Sequence, residues 1–482
     1  MRSWSAVTLV FFTSGAVLVL EILAGRLVAP YVGVSLETYT GVIGIILAGI
    51  AAGAAIGGRL ADCLDPRTLL GPTLVLGGVL AWLILPAVDA VGPTVGPDPY
   101  GILVVTSFGF LLPAMVLSAV SPMVAKLRLA DLGETGAVVG GLAAAGTAGA
   151  LVGTFATGFV LIAAIPTRAI VGAVGTALVL WGAVVWFRLV VTAAARVALV
   201  VALVMLVPVG AYAVASEGPC DEQTQYFCAR VEPDPSRPSG RTLWLDTTRH
   251  SYVDLDDPTH LGFGYTRQFA AVTDATMPAG PIDVLHVGGG GFTFPRYLAA
   301  TRPGTTNRVL EIDEELVDLA ERELGLVQGP GLRVETGDAR LTIVDEPDGR
   351  YELVVGDAFG GLSVPWHLTT TEMVQEIARV LQPGGVYLMN VVDGDGLRFA
   401  RAEVATLREV FDHVALIVPQ SSRGLDGPPV NIVLVASDAP IPPIPTEAGQ
   451  PLLTGAALDE LVGDARPLTD DFAPVDQLVT LH

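Results

Sequence analysis

The chain has 482 residues, of which 51% are hydrophobic and 16% charged, and a mean hydropathy of +0.58. That is too apolar for a protein wholly immersed in water, so lipid must solvate part of it. The net charge of −22 argues against a nucleic-acid partner, because a phosphate backbone needs a basic face. The acids keep a domain soluble and also attract cations, polyamines included. Three cysteines are too few for a disulfide scaffold or a zinc centre, and no metal site is expected.

The apolar excess lies before Ala215, and from Glu217 onward Asp, Glu, Gly and Pro dominate. We expect a transmembrane helical domain over residues 1–216, a small β-strand segment over 217–280 and an α/β domain over 281–482. At roughly 20 apolar residues per span, about seven spans are predicted, near residues 6–28, 38–60, 68–88, 100–123, 136–164, 168–187 and 196–215. The first reads as retained, because no A-x-A-like cleavage site follows it. Gly49, Gly53 and Gly57 form a small-residue stripe for close helix packing. Pro113 and Pro122 predict a kinked fourth span. Glu21 lies within the first span, and Arg26 follows it. An intramembrane carboxylate is either functional or held in an internal ion pair.

Arg59 with Arg67, Lys126 with Arg128, and Arg188 with Arg196 fall in alternate loops, which are expected on the cytoplasmic side of the plasma membrane. An odd number of spans then leaves the following domain outside the cytoplasm, away from a cytosolic cofactor pool, and a count one span different returns it to the cytoplasm; both readings are open. Cys220 and Cys228 flank a short polar stretch; a bridge in an oxidising compartment and two separate thiols are both open readings.

From Pro281 the runs IDVLHV, NRVLEI, LRVETG, YELVVGD, GGVYLMNVV, HVALIV and NIVLVA read as strands alternating with helical stretches, which predicts a parallel, doubly wound sheet. Ligands bind such sheets at the carboxyl ends of the strands. The first run ends in Gly288, Gly289, Gly290 and Gly291, which let backbone approach a ligand. The second ends at Glu311, at the spacing where an acid meets ribose hydroxyls. Asp338 ends the third, placed for an adenine amino group, and Asp357 ends the fourth, facing the reacting end. Helix capping is the structural alternative for these acids.

With LWLD at Leu243–Asp246, VGGGG, LEID, GDAR, VVGDAF and LQPGGVYLMN in this order, residues 216–482 resemble the spermidine synthase family, whose Rossmann-like fold is that of class I methyltransferases. The whole chain is similar to bacterial membrane-fused versions. The resemblance implies aminopropyl transfer from decarboxylated S-adenosylmethionine to a small-molecule amine, with Asp357 helping to deprotonate the acceptor. It also marks departures. The family's aspartate after three glycines is Gly291 here, its second acid after the catalytic one is Gly360, and a glutamine is His250. Losing two carboxylates weakens the grip on a dicationic amine. It also opens methyl transfer from intact S-adenosylmethionine, to an unknown acceptor, as an alternative. A membrane sensor or transporter with a vestigial synthase-like domain is a third reading. His250, Ser251, Tyr252, His260, Tyr265 and His367 are candidates for acceptor handling, and Asp470 and Asp471 for replacement acids. The lipid bilayer is an expected partner, and a homo-oligomer is compatible with the sequence.

Overall fold

A computed structural model describes residues 3–479 except 97, 130–134, most of 190–217, 419–429 and 447–449. The chain divides into two compact units, Met1–Cys228 and Ala229–His482.

In the first unit, six helices among the described residues are long and apolar enough to cross a membrane: α1 (Trp4–Val32), α2 (Leu36–Cys63), α3 (Pro66–Thr94), α4 (Pro99–Arg128), α5 (Thr135–Ala164) and α6 (Thr167–Leu189). The count is six rather than the expected seven; the seventh span, 196–215, falls largely outside the described residues. The glycine stripe of α2 does what its spacing implies. A methyl at Gly49 would stand 2.9 Å from the Leu111 carbonyl, and Gly53 and Gly57 are likewise closed off by Met115 and Ala119 of α4. The expected irregularity of α4 is a π turn at Ser107–Leu111, one turn before Pro113, whose ring cannot fit against an unshifted carbonyl four residues back.

The two ends of this bundle differ in charge. Arg59, Arg67, Lys126, Arg128 and Arg188 gather at one end, where Lys126 pairs with Asp62 at 2.6 Å. At the other end Arg168 makes a two-pronged pair with Asp89 at 2.7 and 3.1 Å, and the Tyr31 hydroxyl donates to the same carboxylate at 3.1 Å. Cys220 and Cys228 are joined by a disulfide, which settles the open pairing. The Arg26 guanidinium donates to the carbonyls of Thr224 and Gln225 within that disulfide loop. Of the two readings open for Glu21, an internal ion pair with the nearby Arg26 is not the one formed, because that guanidinium serves the disulfide loop. A Cβ on Gly218 would touch Arg168, so the loop lies at the end opposite the basic residues.

The second unit opens with a small antiparallel sheet, β1 (Cys228–Asp234), β2 (Arg237–Leu245) and β3 (Thr248–Asp254), followed by α7 (Gly264–Thr276). Then come β4 (Asp283–Val287), α8 (Thr293–Thr301), β5 (Thr306–Glu311), α9 (Glu314–Glu323), β6 (Leu332–Thr336), α10 (Ala339–Thr342), β7 (Tyr351–Gly356), α11 (Thr371–Val380), β8 (Leu381–Asp393), α12 (Arg398–Arg408), β9 (His413–Ile417), β10 (Val430–Ser437), β11 (Leu452–Leu453), α13 (Gly455–Val462) and α14 (Val475–Leu478). The large sheet runs β11-β9-β10-β8-β7-β4-β5-β6.

All seven predicted runs are strands, but the sheet is not wholly parallel. β6, β5, β4, β7 and β8 are parallel neighbours, whereas β10 pairs antiparallel with both β8 and β9. A parallel neighbour needs a crossover, usually helical, and the sequence between β9 and β10, with Gly427, Pro428 and Pro429, has no helical pattern. Apolar layers cover both faces: Phe399, Val404 and Leu407 of α12 with Met373 and Ile377 of α11 on one, and Phe269 and Val272 of α7 with Phe294 and Leu298 of α8 on the other. The chain moves from β4 outward to β6 and then returns to β7 on the far side of β4. The switch in strand order thus lies between β4 and β7, where a crevice opens beyond the strand ends.

Candidate functional site

The glycine loop and Asp357 meet at this switch point. Gly288 adopts φ +96°, a left-handed conformation that glycine tolerates, and its α-carbon lies against the backbone of Asp357 and Ala358, so no side chain fits there. The Asp357 amide donates to the Val287 carbonyl at 2.9 Å, which ties the end of β7 to the end of β4.

The Asp357 carboxylate is held from two elements. Tyr265 of α7 donates its hydroxyl to Oδ2 at 3.0 Å, and Asn390 of β8 donates Nδ2 to Oδ1 at 2.9 Å. Burial pushes the Asp357 carboxyl up to about 6, against the opposing pull of the bonds from Asn390 and Tyr265. Burial and the neighbouring carboxylate raise the Tyr265 phenol well above its ordinary range, so it stays a donor. The Asn390 Oδ1 atom is buried without a hydrogen-bond partner. Asn390 carries no assigned role in the sequence reading. Its signal is an amide closing the apolar run VYLM, at the carboxyl end of a strand next to β7.

Glu311 ends β5 as expected, but its carboxylate accepts from the amides of Gly289 at 2.8 Å, Gly290 at 3.2 Å and Asp313 at 3.0 Å. It braces the glycine loop. A carboxylate offers about four lone-pair sites, so room for a hydroxyl donor remains.

Asp338 caps α10 by accepting the Arg340 amide at 2.9 Å, and its other neighbour is His367 Nε2 at 3.4 Å. The capping alternative is therefore real, and His367 and Asp338 face each other. Asp470 completes this rim: it pairs with Arg340 at 2.7 Å and accepts from Thr370 at 2.7 Å.

On the opposite rim, Ser251 and His250 of β3 reach the glycine loop. The Gly291 amide donates to Ser251 Oγ at 3.0 Å, and a methyl at Gly291 would stand 2.6 Å from Ser251 Cβ. His250 Nδ1 lies 3.1 Å from the same Oγ, and its ring meets Phe359 edge-on. Burial lowers the imidazole to about 4, so it is neutral at pH 7. Tyr252 and His260 meet edge to face and Tyr252 donates to Asp234, so this pair supports the small sheet rather than the Asp357 cluster.

No family model matches the chain. A polyamine aminopropyltransferase of Vibrio vulnificus is 33% identical over 145 residues, 30% of this chain and 48% of that protein. One of Chromobacterium violaceum is 26% identical over 186 residues, 38% of this chain and 69% of that protein. The chain thus spans about half the length of the first relative and two thirds of the second. The crystal structure of a probable spermidine synthase from Corynebacterium glutamicum is 26% identical, with a TM-score of 0.49, covering 53% of this chain and 97% of that one. With the glycine loop, Glu311, Asp338 and Asp357 at successive strand ends, the chain is spermidine synthase-like.

Proposed function

We propose that this chain is a membrane-anchored transferase that passes the aminopropyl group of decarboxylated S-adenosylmethionine to an amine. The observation that carries this reading is Asp357, half-buried at the switch point, held by Tyr265 and Asn390 and poised near neutrality. A base with a pKa of about 6 is ionised at working pH yet still takes a proton readily. Gly288–Gly291 shape the donor loop, Glu311 takes the ribose and Asp338 the adenine side, with His367 beside it. The amine nitrogen attacks the carbon next to the sulfonium, the sulfur departs as the thioether of methylthioadenosine, and the amine proton goes to Asp357. The protein's main task is to hold nitrogen, carbon and sulfur in line. Tyr265 and His250 line the acceptor approach, whereas His367, a sequence candidate for the same role, sits with Asp338 on the adenine side. Among the described residues Asp357 offers the carboxylate there, and Gly291 and Gly360 have none, which favours an acceptor with one ammonium group over a diamine.

A specific observation favours a second reading, methyl transfer from intact S-adenosylmethionine. Ser251 occupies the space that a side chain at 291 would need, so the donor tail meets a hydroxyl and a neutral imidazole instead of an acid. No anion there repels a carboxylate.

The test is incubation of the full chain in detergent with each donor and a panel of mono- and diamines. Methylthioadenosine formed with an amine supports the proposal, S-adenosylhomocysteine moves it to the second reading, and neither product overturns both. We also propose that the disulfide loop lies on the extracytoplasmic side of the plasma membrane. It sits at the end of the bundle opposite the basic residues, and disulfides persist in oxidising compartments. A membrane-impermeant reagent reaching its cysteines only after reduction, in intact cells, is the expected result.

A further inference from the structure

Threonines in the helical unit normally fold their hydroxyls back onto the carbonyl four residues earlier: Thr13 onto Leu9 at 2.9 Å, Thr40 onto Leu36 at 2.8 Å and Thr176 onto Gly172 at 2.7 Å. Thr106 and Thr157 do not. Both are fully buried, and neither hydroxyl oxygen has a hydrogen-bond partner. Each stands at the start of a π turn, Ser107–Leu111 in α4 and Thr157–Leu161 in α5. Such turns shift the carbonyl ladder and recur at functional sites. Glu21, in the middle of α1, is half-buried and makes no hydrogen bond or ion pair among the described residues.

These three features share one depth. A methyl at Gly153 of α5 would stand 2.6 Å from the Gly15 carbonyl of α1. One turn further along these parallel helices, Thr157 is level with Val19. Gly149, Gly153 and Thr157 recur every four residues, so Thr157 shares the buried face that meets α1. Tyr39 of α2 covers Gly25 of α1, while Ile102 and Leu111 of α4 cover Gly41 and Gly49 of α2. Counting from these contacts, Thr106 is level with Ile45, which across the antiparallel α1–α2 pair is again the level of Val19. Glu21 lies two residues on, about 3 Å along the axis.

An unpaired carboxylate and two orphaned hydroxyls, all at mid-bundle, are costly in a low-dielectric interior unless a ligand satisfies them. We propose that this layer binds a small monovalent cation. The available donors are all oxygens, which suit a hard ion, and a single carboxylate balances a single positive charge. An alkali ion and the ammonium head of a primary amine present the same chemistry.

The test is equilibrium binding of radioactive sodium to the full chain in nanodiscs at constant ionic strength, with choline as the balancing cation. Saturable binding is expected, weakened roughly tenfold or more by Glu21→Gln. Thr157→Val is the second variant: it keeps the side-chain shape and breaks no existing hydrogen bond, so it should fold while also weakening binding. Competition by methylammonium identifies an ammonium source, and its failure identifies an inorganic ion. Non-saturable binding, or binding unchanged in both variants, overturns the proposal.

Discussion

Two acids in the second unit, one half-buried and one fully buried, show what hydrogen bonds add to burial. Asp357, at the carboxyl end of β7, receives bonds from Tyr265 and Asn390, and its carboxyl is pushed up only to about 6. Glu403, in the middle of α12, is fully buried and neither carboxyl oxygen has a partner. Burial alone raises its pKa well above the usual carboxylate range. Its neighbourhood is the apolar layer between α12 and the sheet, with Tyr387 of β8 near enough to feel its charge. Burial makes an acid neutral; burial opposed by two donors makes it a usable base.

The largest expected effect is on the partnered acid. Asp357→Asn keeps the shape and removes the base, so turnover should fall by roughly 10²- to 10⁴-fold, the usual worth of a positioned proton acceptor, while donor binding measured by calorimetry persists. Equal loss of donor binding would mean that the residue shapes the site instead. Next in size is Gly291→Asp, which restores the family's acid but drives a side chain into Ser251. Donor affinity should drop by roughly tenfold or more from the overlap, and the double change with Ser251→Gly should recover it. Recovery with a preference for the decarboxylated donor would identify the 251–291 pair as the element that sets donor choice.

The difference between these acids also explains what could be read from the chain. The glycine loop, Glu311, Asp338 and Asp357 were legible because each ends an apolar run, and strand periodicity alone places run ends on one edge of a sheet. Asn390 was not legible as a ligand of Asp357, because that contact depends on β8 lying beside β7 and joins residues 33 apart. Glu403 reads as an ordinary polar position in an amphipathic helix until the packing of α12 is known. The antiparallel edge, β9 to β11, was missed because alternation of runs reports the existence of strands but not their direction. In the helical unit, an internal ion pair was one of two readings open for Glu21, with Arg26 the nearest base in sequence. The arginine instead satisfies carbonyls of a loop about 200 residues away in the chain.

A smaller effect separates the two donors to Asp357. Both bonds favour the ionised carboxylate, so removing either one, by Tyr265→Phe or Asn390→Leu, should raise its pKa. Activity depends on the ionised form and is lost as pH falls through about 6; in each variant that loss should begin at a higher pH. A pH–rate profile of kcat/KM checks this. An unmoved acidic limb in both variants would assign the limb to another group.

The smallest effect concerns Glu403, and it is a stability effect without a catalytic one. Its folded pKa is raised above the unfolded value near 4.5, so the folded state holds the proton more tightly. Stability linked to this group is therefore complete below about 4.5 and declines as pH rises toward the folded pKa. Glu403→Leu removes the titration and leaves an apolar side chain of similar size in an apolar layer. At pH 5 the variant should gain about 1–3 kcal/mol from the lost unsatisfied carboxyl, and the gain should widen as pH rises to 8. Denaturant unfolding of the second unit, followed at both pH values, checks the sign. A gain that shrinks with pH would mean that Glu403 is ionised and partnered in the folded protein, and the contrast with Asp357 would then lie in the kind of partner rather than in its presence.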